Sequence, residues 1–375
     1  MTHPTRPQPP EPGRAVVARL VPADGRELPF GGAEIEALAS GGIARATLRH
    51  LFVNDADAPL EATYHTPIPD GAAISGYAFL IGNRRSVGVI ERRERSRERY
   101  QAAVRGGHTA ALLVEKPGPF FTQRIGNIPP GTEVICELRL EHRLDWINGA
   151  YHWRFPTVIA SPHRPAIGAG EAPVLEVDVL ETTPPARASL ELRIEGAAGD
   201  PASHTHRILC RDQGPARVVT LADENGCRLD RDLVVSWPAI APAWLDAQRP
   251  SDPTSAGQSL AGADGLRGEA DALRRILARE QVDERPARER QTAIERLGLD
   301  HRIATPRTSW VAVSTEETVD PDEPAQRVTI PQEKPFAVSA ESTRPDPADR
   351  AGEAKRIPAL RRSRGDAVAT SGGSR

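Results

Sequence analysis

Lysine is nearly absent from this chain. Lys116, Lys334 and Lys355 are the only three among 375 residues, so the basic charge is almost wholly arginine. Aromatic residues make up only 4% and hydrophobic residues 39%, against 35 prolines and 31 glycines. That balance argues against one continuous fold, although the length is ample for two domains and a buried core. Cysteine is scarce too: Cys136, Cys210 and Cys227 lie far apart with no Cys-x-x-Cys spacing, poor material for a disulfide framework. The start of the chain, Met1-Thr2-His3-Pro4 through Pro12, lacks the apolar stretch of a signal peptide, and no run approaches the length of a membrane span. A net charge of -3 predicts no overall attraction to nucleic acid. The excess of Ala, Arg, Pro and Gly is that of a GC-biased genome. A soluble protein of a reducing, bacterial cytoplasm is therefore expected. The guanidinium fork also suits anion recognition, but most of the arginines are expected to be solvated surface residues.

What is present is chiefly strand-like. Pro129-Pro130-Gly131 reads as a turn feeding the alternating run Thr132 to Leu140, in which Val134, Cys136, Leu138 and Leu140 share one face. Ala44, Ala46, Leu48, His50 and Phe52 alternate with Arg45, Thr47 and Arg49, a strand that enters a turn near Asn54-Asp55. Between Ile90 and Gly107 the period changes. Tyr100, Ala103 and Val104 form a short apolar stripe among Glu and Arg residues, and Gly106-Gly107 supplies a helix stop.

Several segments then occur in a telling order: Leu60-Glu61-Ala62-Thr63-Tyr64-His65-Thr66-Pro67-Ile68-Pro69, Gly76-Tyr77, Ile81-Gly82, Glu98-Arg99-Tyr100, Thr109-Ala110-Ala111-Leu112-Leu113 and Ile125-Gly126-Asn127-Ile128-Pro129-Pro130-Gly131. Trp153-Arg154-Phe155-Pro156-Thr157-Val158 closes the set. In that order and at those separations the region from about Ala15 to Pro165 resembles the vault protein inter-alpha-trypsin (VIT) domain. The resemblance implies a non-catalytic β-rich module that binds or scaffolds, with Gly126, Asn127, Pro129, Pro130 and Gly131 as the structural signature turn. No cofactor, metal or catalytic residue is implied.

Beyond it a second β-rich segment is expected. Leu175, Val177 and Val179 alternate with Glu176 and Asp178, and Leu190, Leu192 and Ile194 with Glu191 and Arg193. Val218-Val219-Thr220-Leu221 and Asp230 to Trp237 come next, with Asp223-Glu224-Asn225-Gly226 read as the hairpin turn between them. In bacterial VIT relatives such a segment leads into a von Willebrand factor A domain whose Asp-x-Ser-x-Ser binds a divalent cation. No such motif comes after Trp237 here; the chain enters a Pro/Ser-rich linker. A helix from Glu289 to His301, ending near Gly298, and the run Thr305 to Val313 resemble the helix and strand that follow the A domain in those relatives, while a helix from Gly265 to Gln281 is read as a remnant of the A domain's last helix or a replacement cap. The expected architecture is thus one in which an A domain has been removed and its flanks joined, so that Leu233-Val234-Val235 and Trp310 to Val313 share one sheet.

The organisation predicted is a disordered leader at 1–14, a VIT-like domain at 15–165, the second β-rich segment at 166–238, a linker at 239–264, helices and a return strand at 265–335, and a disordered tail at 336–375. The fold class is mostly β: a VIT-like antiparallel sandwich with one packed helix, a second β-rich layer and short C-terminal helices. The function expected is a cation-independent, non-catalytic interaction or scaffold module with a protein partner. The alternatives are a degenerate remnant or a subunit serving a separate A-domain chain, and third an enzyme.

Candidate chemistry is thin. His204 and His206 with Cys210 form the one tight cluster of soft ligands, completed for zinc only if Asp212 or Cys227 joined, and a polar loop is the expected reading. The signature turn makes a poor phosphate loop, because two prolines remove backbone donors. Glu141 and Asp145 near His142 suggest an acid/base group, but strand alternation points Glu141 and His142 apart. Cys136 reads as a small buried hydrophobe. The charged helix is expected to present a solvated face, not a partner site. Trp146, Tyr151, Trp153 and Phe155 around Asn148-Gly149 either stack on a ligand or, as expected from their spacing, pack inward.

Overall fold

The computed structural model describes residues 29–116, 120–158, 179–180, 186–239, 267–284, 291–323, 325–330 and 332–333. The chain opens with β1 (Phe30–Ser40), β2 (Ile43–Asn54), β3 (Leu60–Pro67), β4 (Ala73–Ile81), β5 (Arg84–Val87) and β6 (Val89–Arg92). Helix α1 (Arg93–Arg105) leads to β7 (His108–Glu115), β8 (Phe120–Ile128), β9 (Thr132–Arg143), β10 (Asp145–Ile147) and β11 (Ala150–Phe155). Then come β12 (Val179–Leu180), β13 (Arg187–Glu195), β14 (Ile208–Gln213), β15 (Ala216–Leu221), β16 (Cys227–Arg228) and β17 (Leu233–Pro238). Helices α2 (Arg267–Asp283) and α3 (Gln291–Asp300) precede β18 (Thr308–Glu317), β19 (Gln326–Ile330) and β20 (Gln332–Glu333). The described residues are thus mostly β with a few short helices. The leader, the linker from 240, Leu175 to Asp178 and the tail lie outside them.

Two large sheets form a β-sandwich. One has nine strands in the order β14-β15-β13-β1-β2-β9-β4-β5, with β16 added beside β13; the other has six, β19-β3-β8-β7-β18-β6. Their alternating strands turn one apolar face inward: Leu48 opposite Leu138, Ala46 opposite Leu140 and Phe52 opposite Val134 all enter the shared core. β7 departs from alternation, reading His-Thr-Ala-Ala-Leu-Leu-Val-Glu, because both its faces are covered. Ala111 and Leu113 face the sandwich core, whereas Ala110, Leu112 and Val114 pack on Tyr100 and Ala103 of α1. A strand buried on both sides reads as a continuous apolar run. On the nine-stranded sheet α2 lays Ala272, Leu273, Ile276 and Leu277 against Ile43, while Ala278 meets Ala73 and Ile303. The outer faces of both large sheets therefore carry helices, α1 on the six-stranded sheet and the C-terminal α2 on the nine-stranded one.

Partner choice differs from the sequence reading in four places. The predicted pairing of Leu233-Val234-Val235 with Trp310 to Val313 does not occur. β17 pairs with Phe155, Arg154 and Trp153 of β11, whereas β18 lies in the six-stranded sheet, with Trp310 to Val313 against Leu113 to Ala110 of β7 and Thr308 to Val311 against Arg92 to Val89 of β6. The return strand thus completes the first module, not the second layer. For the same reason α1 begins only at Arg93, since Val89 to Arg92 is claimed as strand by this distant partner. Asp223 to Gly226 does make a turn, with the Gly226 N–H donating to the Asp223 carbonyl (2.9 Å), but it is not a hairpin: β15 pairs with β13 and β14, and β17 with β11. Finally, β13 runs parallel to β1, Leu190 opposite Ile35 and Leu192 opposite Ala37, so the second segment extends the first module's sheet.

Helix α3 also runs past Gly298 to Asp300. Its end is closed by Ile303 N–H on the Gly298 carbonyl (2.9 Å) and Arg302 N–H on the Leu299 carbonyl (3.3 Å), the paired bonds of a Schellman cap. Gly298 is small because a Cβ there would collide with the side chain of Thr308 at the start of β18.

Candidate functional site

The signature residues converge with three other segments where α1 meets β8. Gly126 sits under the helix: a Cβ on it would lie 2.6 Å from Val104 Cγ2 and 2.8 Å from the Tyr100 hydroxyl. Asn127 comes next with φ 55°, a left-handed conformation that asparagine tolerates better than most side chains. Its Nδ2 donates to the carbonyls of Val104 (2.7 Å), in the last turn of α1, and His108 (3.1 Å), at the start of β7, and its own carbonyl accepts from Thr109 Oγ1 (2.7 Å). Gly126, Asn127 and Ile128 thus belong to β8, and the turn itself is Pro129-Pro130-Gly131. The Gly131 N–H donates to the Asn54 carbonyl (2.8 Å), and buried Asn54 donates through Nδ2 to the Ile128 carbonyl (2.8 Å) and the Ala58 carbonyl (2.9 Å). The turn carries the chain from one sheet to the other, because β8 pairs with β3 and β7 and β9 pairs with β2 and β4. It is not the tip of a hairpin.

Beside it lies a buried carboxylate. Glu61 Oε1 accepts from Tyr100 Oη (2.9 Å) and Arg124 (2.5 Å), and Oε2 from Arg327 Nε (2.9 Å), while the Arg124 guanidinium rests 5.3 Å over the Tyr100 ring. Burial pushes the Glu61 carboxyl up, but the Tyr100 hydroxyl and the two guanidiniums outweigh it and hold it below its ordinary range. The Tyr100 hydroxyl is pushed up, by burial and then by Glu61. Leu60-Glu61, Glu98-Arg99-Tyr100 and the Gly-Asn turn, separate in sequence, are one contact in space. Its chemistry is consumed in seating the helix on the sheet.

A second polar cluster crosses the sandwich core. Gln123 Nε2 donates to His50 Nδ1 (2.8 Å) and Thr66 Oγ1 (2.6 Å), and its Oε1 accepts from Tyr77 Oη (3.3 Å). Burial lowers the His50 pKa to about 3, so the ring is neutral, with Nδ1 as acceptor. Gln123 carries no motif; the only trace of it in the sequence is one amide inside Phe120-Phe121-Thr122-Gln123.

The remaining candidates do not assemble. His206 is held locally, its N–H on Ser203 Oγ (3.2 Å) and Nδ1 near Thr205 Oγ1 (3.0 Å), and Cys210 is exposed on β14. Among the described residues no group of three or more His, Cys, Asp or Glu side chains is placed to hold a metal ion. Glu141 accepts from Ser75 Oγ (2.9 Å) and Arg275 (2.7 Å), while His142 bonds the Arg143 carbonyl (3.0 Å), so the two do not converge. The Cys136 thiol is pushed up to about 12 by burial. Tyr151, Trp153 and Phe155 pack inward together with Trp237, and Asn148 and Gly149, both at positive φ, form the two-residue turn between β10 and β11. The charged helix turns Tyr100 and Ala103 inward, and Arg95 and Arg99 pair with Glu91 at 3.8 and 3.0 Å.

The architecture is a two-sheet β-sandwich with a helix seated on a Gly-Asn strand end. Residues 32–140 match the family model of the vault protein inter-alpha-trypsin domain. Similar proteins include protein mono-ADP-ribosyltransferase PARP4 of Homo sapiens, 30% identical over 143 residues, which are 38% of this chain and 8% of that protein. Another is von Willebrand factor A domain-containing protein 5A of Mus musculus, 27% identical over 111 residues, 29% of this chain and 14% of that protein. The chain therefore spans a small fraction of these relatives' length. Among solved structures, an M1 zinc metallopeptidase from Deinococcus radiodurans has a TM-score of 0.31 at 11% identity, over 63% of this chain and 53% of that one. Aminopeptidase A from Legionella pneumophila gives 0.27 at 11% identity, over 58% and 22%. Likenesses that weak bear on neither fold nor function.

Proposed function

We propose that this chain is a protein-interaction or scaffold module that works without catalysis or a bound cation in a reducing cytoplasm. The observation that carries this reading is β14, the terminal strand of the nine-stranded sheet, which among the described residues is paired only with β15. Its Leu209 is 59% exposed and Cys210 is exposed beside it. An open edge with an outward apolar residue is a template for an extended partner segment, whose backbone adds a strand while the exposed side chains select it. The buried thiol of Cys136 and the exposed thiol of Cys210 suit a reducing compartment.

The test uses Cys210 as a handle. A thiol-directed photocrosslinker at Cys210, in extract of the native host, is expected to capture one discrete protein, and Leu209→Lys to abolish the capture. Equal labelling from a cysteine placed at Arg97 on α1 would show a sticky surface and sink the reading.

A second reading is a subunit that works with an A domain on a separate chain. What favours it is that the segment shared with the relatives above comes, in several of them, from proteins named for a von Willebrand factor A domain. A captured partner with such a domain would select it. The transferase named for PARP4 is an activity of that protein, of which this chain matches 8%.

A further inference from the structure

At the opposite end of the nine-stranded sheet from β14, a groove of about 510 Å³ lies between β4, β5 and β9 and the helices α2 and α3. Its size is that of a small-molecule site. Five arginines line it, Arg85, Arg139, Arg274, Arg275 and Arg302, against three carboxylates, an excess of two positive charges. The carboxylates are already engaged: Glu137 by Arg85 (2.6 Å) and Arg139 (3.3 Å), Asp271 by Arg274 (2.8 Å) and Asp300 by Arg296 (3.5 Å). Arg275 pairs through Nη2 with buried Glu141 (2.7 Å), which leaves its Nε–H out of water and without an acceptor. Among the described residues no carboxylate pairs with Arg302.

The backbone of the groove is shaped for close approach. β4 bulges between Ile74 and Gly76, and Gly76 and Gly88 both line the floor without side chains. A Cβ on Gly88 would come 2.7 Å from the Tyr77 carbonyl, and one on Gly76 3.3 Å from the Arg139 side chain. Bulges and strand glycines of this kind mark places where a ligand or another backbone comes near. Arg302 adds an independent sign. It occupies the left-handed position of the α3 cap at φ 53°, where glycine is the residue that meets no steric penalty, and its side chain lines the groove.

We propose that this groove binds a small polyanion carrying phosphate or carboxylate groups. The planar guanidinium presents paired donors that match either oxyanion, and several converging on one space hold a multiply charged ligand better than a single charge.

The test is isothermal titration calorimetry of the full chain with pyrophosphate and with citrate, at ionic strength held constant with sodium chloride. Saturable one-site binding is expected for at least one of them, and the tighter probe assigns the group as phosphate or carboxylate. Arg302→Gly removes the guanidinium while giving the cap its preferred residue, so the variant folds. Arg302→Gly and Arg139→Gln should each weaken binding roughly tenfold, the loss of one charge-assisted contact. Arg97→Gln on α1 should leave affinity unchanged. Heats no larger than the chloride control for both probes would overturn the proposal. So would affinities that Arg302→Gly and Arg139→Gln leave intact, or that Arg97→Gln lowers equally.

Discussion

Asn127 does three things at once: it holds φ 55° at the end of β8, donates to the carbonyls of Val104 in the last turn of α1 and His108 at the start of β7, and accepts from Thr109. Aspartate has the same shape and tolerates the same backbone, but cannot donate. Asn127→Asp therefore isolates the donors and is expected to cost about 1–2 kcal/mol, since the partly buried carbonyls of Val104 and His108 lose the amide donor and face a carboxylate. Gly126→Ala tests the neighbouring contact, because one methyl group must displace Val104 Cγ2 and the Tyr100 hydroxyl. Overpacking of that kind costs roughly 1–3 kcal/mol. Urea unfolding of both variants checks these values, and a Gly126→Ala protein as stable as the parent would show that α1 shifts freely on the sheet. Gly-Asn-x-Pro-Pro-Gly was legible as a motif from sequence. Its duty as a helix seat was not, because Tyr100 and Val104 are distant along the chain.

At the scale of elements, β18 is the most consequential strand. It lies between β7 and β6 in the six-stranded sheet, turns Trp310 and Ala312 into the main core, and packs Val311 with α1. Trp310 also donates through Nε1 to the Ile74 carbonyl (3.1 Å), tying the two sheets together. A chain ended after Ala239 loses this strand. It should expose the β7 edge and the apolar face beneath α1, aggregate, and show no cooperative urea transition. A chain ended after Glu333 keeps every described strand and should unfold cooperatively. In the full chain, Trp310→Ala is expected to cost about 3–5 kcal/mol. Equal stability of the Ala239-ended chain would show that the first module closes without its return strand.

For the whole molecule, two buried histidines set the acid limit. Burial lowers His50 to about 3 and His142 to about 4, against 6.5 when exposed. Below pH 6.5 the unfolded chain takes up protons that the folded chain refuses, so stability falls as pH falls, by up to about 1.4 kcal/mol per pH unit for each histidine. The loss ends as pH passes the folded values. Glu61 and Glu137, both held below the ordinary carboxylate value of 4.5, add a separate loss only at lower pH. Urea midpoints measured from pH 7 to pH 5 should therefore decline already above the carboxylate range, and His50→Asn should flatten the slope by about one proton. A profile level from pH 7 to pH 5 would contradict the neutral, buried state of both rings.

The sequence by itself determined which stretches are strands and helices and which faces are apolar. The alternation of β2 and β9, the three- and four-residue spacing of Ala270, Leu273, Ile276 and Leu277 in α2, and the Asn148-Gly149 turn are local properties of the chain. It also carried the VIT resemblance, because those motifs stand in a fixed order. Only the tertiary structure decided which strand pairs with which. An alternating strand specifies a face for the core, not a neighbour, and any edge with matching register satisfies its backbone equally well. That is why β18 joins β7 instead of β17, why β13 lies parallel to β1, and why Val89 to Arg92 is strand and not the first turn of α1. The groove arginines are the same case at the level of side chains: Arg85, Arg139, Arg274 and Arg302 come from four distant segments, and only the packing of α2 on β4 and β9, and of α3 on α2, β6 and β18, brings their charges together.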